Sequence, residues 1–247
     1  MVLLLGASFL DINLSVGGVV RSAAGVDKFV GLSKEENMLL FREKGVAYVH
    51  VPKTSGKRLR KFLSSEVGGC EHWWGIYDTP AESLESSKFD RTDKAHWTAA
   101  MIREFRPSLW SEMLFMNVFS VARDPFNRAV SAYGQFLRHF GEGAAGVGCL
   151  SDYVRRIGDG AHMSRKDGYM YIHGVPQVEF HLPNHRVIFG EDLSGELSTM
   201  FGVDMRFVSS ERPVRGLSES ERSLVESVYK EDIVLWRSLG GRSSEAA

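Results

Sequence analysis

Apolar positions along this chain come in short, separated groups. Val46-Ala47-Tyr48-Val49-His50-Val51 is a compact β-branched and aromatic run of the kind that forms a buried strand. A polar turn follows, Pro52 to Gly56, and then Leu59, Phe62 and Leu63 recur at helical spacing between Lys57 and Glu66. The order is strand, loop, helix. It repeats further on. Leu114 to Ala122 holds a second strand centred on 117–121, Arg123-Asp124-Pro125 turns the chain, and Pro125 suits a first helical position. The helix that follows is expected to reach about Phe140, with Phe126, Val130, Tyr133 and Leu137 on one stripe and Asp124 as its cap.

The remaining pattern is read in the same way. Ser33 to Lys44 is expected to be a short helix, with Ser33 as N-cap and Glu36 completing a capping box. Gly68 to Asp93 read as an irregular connection, and Thr98 to Phe105 as a helix stopped before Pro107. Gly141 to Gly148 read as a mobile glycine-rich stretch and Ser151 to Ile157 as a helix. Arg186 to Phe189 predict a third strand. Ser218 to Leu239 predict one amphipathic helix, with Leu224, Val228, Ile233 and Leu235 in the core. Strands separated by helices imply an α/β fold with a mostly parallel sheet, and ligands in such sheets sit beyond the carboxyl ends of the strands. Both strand-to-helix turns fall at such ends.

Composition adjusts this picture only slightly. The 247 residues suit one domain, with its core over about 46–239, an unassigned segment at 1–30 and a tail at 241–247. Net charge is −1, so no global basic field points to nucleic acid, and any anion site is local. Cys70 and Cys149 lack metal-like spacing and read as two unpaired thiols, with a single disulfide as the alternative, which leans towards a reducing, cytoplasmic setting. The apolar start MVLLLGASFL has no preceding basic residue and is too short to span a membrane, so it reads as a strand or a leader. The oligomeric state is not encoded in any feature.

The chemistry lies in the two loops. Backbone N–H groups at a helix start cradle anions, and Pro52-Lys53-Thr54-Ser55-Gly56-Lys57-Arg58-Leu59 adds a lysine and two hydroxyls to such a start. The Walker pattern G-x-x-x-x-G-K-[ST] is not met: its first glycine is Val51, and its metal-holding hydroxyl is Arg58. A phosphate cradle that works without a metal is therefore expected, and a nucleotide kinase or NTPase is the rival. Pro52-Lys53-Thr54-Ser55-Gly56 with Leu59 resembles the 5′-phosphosulfate loop of the sulfotransferases that include carbohydrate and heparan sulfate enzymes, often P-K-T-x-G-T-S-L. Lys57 and Arg58 depart from that pattern. The segment from Arg123 through Asp124, Pro125, Arg128 and Ser131 to Tyr133 is similar to the same family's 3′-phosphate motif, R-[DN]-P-x-x-R-x-x-S-x-Y, at every fixed position.

The resemblance implies a three-layer, P-loop-like fold and transfer of a sulfuryl group from PAPS (3′-phosphoadenosine-5′-phosphosulfate). The acceptor would be a hydroxyl or amine of a carbohydrate or small molecule, and no metal would be required. Arg123 and Ser131 would bind the 3′-phosphate, and Lys53 would act on the 5′ side. Arg212 or Arg215 would close over the nucleotide. A degenerate, non-catalytic nucleotide binder is a further alternative, prompted by Lys57-Arg58. Arg128 is read either as a ligand contact or as an orienting partner of an acid, and Tyr133 as packing. His96, just before a helix, is the first candidate for the base, with Glu71, His72 and Asp93 behind it. Gln177 lines the substrate cleft or finishes a loop, and Glu191-Asp192-Leu193 fits the family layout. Trp73, Trp74, Tyr77 and Trp97 form an acceptor platform or belong to the core.

Overall fold

The computed structural model describes residues 38–73, 96–163, 168–189, 193–208 and 216–241. All belong to one compact unit, Lys34–Ala247. Five strands form one sheet: β1 (Met38–Phe41), β2 (Val46–Val49), β3 (Glu71–Trp73), β4 (Asn117–Ala122) and β5 (Arg186–Phe189), in the order β3-β1-β2-β4-β5. β2 pairs in parallel with β4, and β4 with β5. β1 is antiparallel to both β2 and β3, so it alone runs against the others. The fold is α/β with a mostly parallel sheet, as the alternation of elements implies.

Helices cover both faces. Met38, Leu40, Ala47, Val49 and Val118 point to one side, where they meet α2 (Ala99–Phe105) and α3 (Pro107–Met113), which follow α1 (Gly56–Glu66) in the chain. Leu39, Phe41, Val46, Tyr48, Phe119 and Ile188 point to the other, against α1 and, later in the chain, the helix Leu193–Phe201. A third apolar cluster joins α4 (Pro125–Phe140), α5 (Leu150–Gly158), the short α6 (Gly168–Tyr171) and α8 (Glu219–Val228) to Ile233 of α9 (Lys230–Ser238), the helix Leu193–Phe201 being α7. Among the described residues no helix is long and apolar enough to cross a membrane.

Several sequence-based expectations are corrected. Residues 38–41 form a strand rather than part of a helix. Met38-Leu39-Leu40-Phe41 are buried on both sides of the sheet, which a strand permits and a one-sided helix does not. Gly45, left-handed at φ 62, closes the β1–β2 hairpin after a 3-10 turn at Arg42–Lys44. The first part of the expected helix, 33–37, lies outside the described residues, as does 1–30. The connection after Gly68 contains β3, paired to β1. Pro107 opens α3 rather than only ending α2. The α4 stripe centres on Phe126, Ala129, Ala132 and Phe136, with Val130, Tyr133 and Leu137 partly buried beside it. The expected C-terminal helix is two helices meeting at Tyr229. Their buried residues are Val225, Tyr229, Asp232, Ile233 and Trp236; Leu224, Val228 and Leu235 are only partly covered. The capping box there is Ser218 with Glu221. Cys70 and Cys149 are both free thiols.

Candidate anion-binding site at the strand ends

β2 and β4 are parallel neighbours, so the loops that leave them emerge side by side. In the first loop Lys53 and Ser55 both adopt left-handed backbone, at φ 69 and φ 68. Non-glycine residues reach that region only where their surroundings compel it, and such strain gathers at functional loops. Thr54 is buried and donates its hydroxyl to Val51 O at 2.9 Å, closing the turn on itself. Gly56 opens α1, whose first turn contains no acidic residue. The start of a helix carries partial positive charge and favours an anion. Lys57 and Arg58 are exposed, while Leu59 is buried in the core between α1 and the sheet. Pro52 is buried as well.

The second loop is tied to the first. Arg123 Nη1 donates to Lys53 O at 3.0 Å. Asp124 caps α4, its Oδ1 accepting from Phe126 N at 2.9 Å, and Pro125 takes the first turn. Asn127, Ser131 and Gln135 follow one another at i, i+4 along α4. Gln135 Oε1 accepts from Lys53 Nζ at 3.3 Å, so the lysine reaches over the helix face that carries Ser131. Ser131 is partly exposed there. Tyr133 packs its ring 5.8 Å from Tyr153 and donates to Gly148 O.

Two ambiguous residues acquire definite places. Arg128 is 1% exposed, and its guanidinium donates to Pro52 O (3.0 Å), Val175 O (2.6 Å) and His173 O (3.3 Å). Its Nη1 lies 3.9 Å from Asp232. It orients the loops rather than facing a ligand. Gln177 is likewise buried, and it grips the backbone of Arg123 from both sides, N–H at 3.0 Å and C=O at 2.9 Å.

His96 lies beneath the surface, 1% exposed, just before α2, whose Thr98 side chain caps Met101 N. Its ring stands 4.8 Å from that of His50 and 5.1 Å from that of His173, and His173 is 6.1 Å from His139. The four imidazoles form a row from the end of β2 to α4. His173 is partly exposed and His139 exposed. His50, His139, His173 and Gln135 carry no sequence signal, because each is an isolated residue brought in only by packing. The other candidate bases sit elsewhere: Glu71 pairs with Arg42 at 3.0 Å, and His72 Nε2 lies 3.6 Å from Cys70 Sγ. Trp73 and Trp97 pack edge to face at 5.0 Å in the core, which removes them from an acceptor platform. Trp74, Tyr77, Asp93, Glu191, Asp192, Arg212 and Arg215 lie outside the described residues.

No family model and no curated protein matches the chain. Among solved structures, the chain is similar to a crystal structure of a sulfotransferase from Alicyclobacillus acidocaldarius, with a TM-score of 0.46 and 13% identity over 81% of this chain and 97% of that one.

Proposed function

We propose that the chain is a PAPS-dependent sulfotransferase acting on a hydroxyl or amine of a carbohydrate or small-molecule acceptor. The observation that carries this reading is the direct bond from Arg123 to the carbonyl of Lys53, which joins two phosphate-type loops into one surface at adjacent parallel strands. A donor with phosphate groups at both its 5′ and 3′ positions needs two such loops, whereas ATP needs one. The residues fit the donor's charge: helix-start amides, Lys53 and a planar arginine fork are all anion partners, and no acid stands in the first turn of α1.

In this reading Arg123 and Ser131 hold the 3′-phosphate. Ser55, Gly56, Lys57 and Arg58 frame the 5′ side. Thr54 gives its one proton to Val51 O, so it stiffens the cradle, as Pro52 and Leu59 do by packing. Lys53 faces the charge that grows on the bridging oxygen as its bond to sulfur breaks and the acceptor's bond to sulfur forms. His96 takes the acceptor proton. The products are the sulfated acceptor and 3′,5′-ADP.

Isothermal titration tests the donor assignment. Tight binding of 3′,5′-ADP and much weaker binding of AMP are expected, with Arg123→Ala removing most of the difference; equal affinities would sink the 3′ site. Transfer of labelled sulfate from PAPS across an acceptor panel, without added metal, tests the reaction and excludes both the kinase and the non-catalytic alternatives. Within that assay His96→Ala is expected to lower kcat by about 10²–10⁴. A near-wild-type rate in His96→Ala, with a collapse in His173→Ala, moves the base to the more exposed ring.

A further inference from the structure

Both anion loops are braced from behind by the same buried carboxylate. Asp232, in the first turn of α9, is fully buried and accepts from Gln177 N at 2.8 Å and Val178 N at 3.0 Å. From Gln177 the connection runs to Arg123, gripped at both backbone groups. A second branch leaves Asp232 for Arg128, 3.9 Å away, which donates to Pro52 O at the mouth of the first loop. The two branches share one segment, His173–Val178. Arg128 donates to its carbonyls at 173 and 175, and Tyr229 fastens it to the α8–α9 junction through Gly174 O at 2.7 Å.

We infer that Asp232, acting through Gln177 and Arg128, is the positioning residue that sets the spacing between the two anion loops. Its role is thus in binding a ligand that carries two phosphates at once. The inference rests on the donor reading for the ligand's identity, but the bracing itself is a property of the apo chain. Physically, a buried arginine with three carbonyl acceptors holds them in one arrangement only while a carboxylate balances its charge. Without that charge Arg128 is a buried cation with only neutral acceptors, which weakens its hold on Pro52 O and the 173–175 carbonyls. The first loop then loses its register against Arg123. Gln177 makes the two branches separable, because it touches Arg123 and Asp232 but makes no bond to the first loop.

The test uses the full chain with Asp232→Asn, Gln177→Leu and a stability control, Trp236→Phe. Trp236 is buried on the same helix, where it packs on Phe189 and stands outside the network. Hydrogen exchange is read first, with no ligand. Asp232→Asn is expected to speed exchange in both 52–57 and 123–127 by tenfold or more relative to α5, and Gln177→Leu in 123–127 alone. Faster exchange confined to α9, or spread evenly as in Trp236→Phe, overturns the inference. Titration is read second, with 3′,5′-ADP, adenosine 5′-monophosphate and adenosine 3′-monophosphate. Gln177→Leu is expected to weaken the 3′-monophosphate about tenfold and the 5′-monophosphate less than twofold; Asp232→Asn weakens both, and weakens 3′,5′-ADP most. Unchanged affinities in both variants, alongside the same drop in melting temperature as the control, also overturn it. If the wild type binds none of the three nucleotides while the exchange pattern holds, the donor reading fails and the bracing stands. Should Asp232→Asn not fold, Gln177→Leu alone decides, since its effect is predicted for one loop and not the other.

Discussion

At position 56 an ideal Cβ would lie 1.8 Å from His50 Cδ2 and 2.0 Å from its Nε2. The ring is buried beneath the start of α1, so even a methyl group must displace it. Gly56→Ala is therefore expected to cost about 1–3 kcal/mol, the usual range for overpacking. Adding His50→Ala should recover most of that loss in denaturant melts, since the obstacle is then gone. A glycine between Ser55 and Lys57 is legible in the sequence as permission for close approach. What approaches is not: the sequence suggests an anion, whereas the structure also places a histidine ring there. The same limit applies at Arg128, where its residue type offers a donor fork without saying whether phosphate or carbonyls will take it. Three carbonyls do.

Among the elements, α4 depends most on its entry. Asp124 satisfies Phe126 N and Asn127 Nδ2 while Arg123, one residue earlier, is held by Gln177. Asp124→Ala is expected to lose about 1 kcal/mol, the typical worth of an N-cap, and Asp124→Asn much less, because asparagine caps nearly as well. Urea midpoints of the two variants check this. Elements with a strong local signal were legible: β2, α1, β4, α4 and β5 follow from run length, turn chemistry and helical period. β1 and β3 were not. Four apolar residues before a polar turn fit a strand or a helix end equally, and Glu71-His72-Trp73 has no alternation to read. Pairing across the sheet decides both. The α8–α9 break is similarly hidden, because Val225, Tyr229 and Ile233 keep one helical stripe straight through it.

For the molecule as a whole, acid sensitivity follows from two histidines in the turn before β5. Burial first, and then the nearby Arg128 charge, lowers the His181 pKa from 6.5 to about 4. Burial, followed by His181 itself, holds His185 well below its ordinary value. Their ring centroids lie 4.6 Å apart, with the planes tilted by 36°. The unfolded chain protonates these groups near their ordinary pKa, while the folded chain keeps His181 neutral down to about pH 4. Stability is therefore full above about pH 6.5 and falls as the pH drops from there towards 4, with His181 alone contributing on the order of 3 kcal/mol. Thermal melts at pH 7 and pH 5 should show the loss, and His181→Gln should flatten it; a flat wild-type profile contradicts the assignment.

The sequence by itself determined the α/β class, the two strand–loop–helix units and the positions of the loops at their strand ends, because each rests on contacts between residues close in the chain. Tertiary structure decided what joins them. Arg123 reaches Lys53, Arg128 reaches Pro52, and Asp232 in a late helix sits behind both. These bonds span distant parts of the chain between residues whose types offer many partners, so only the packing of the sheet and its helices selects among them.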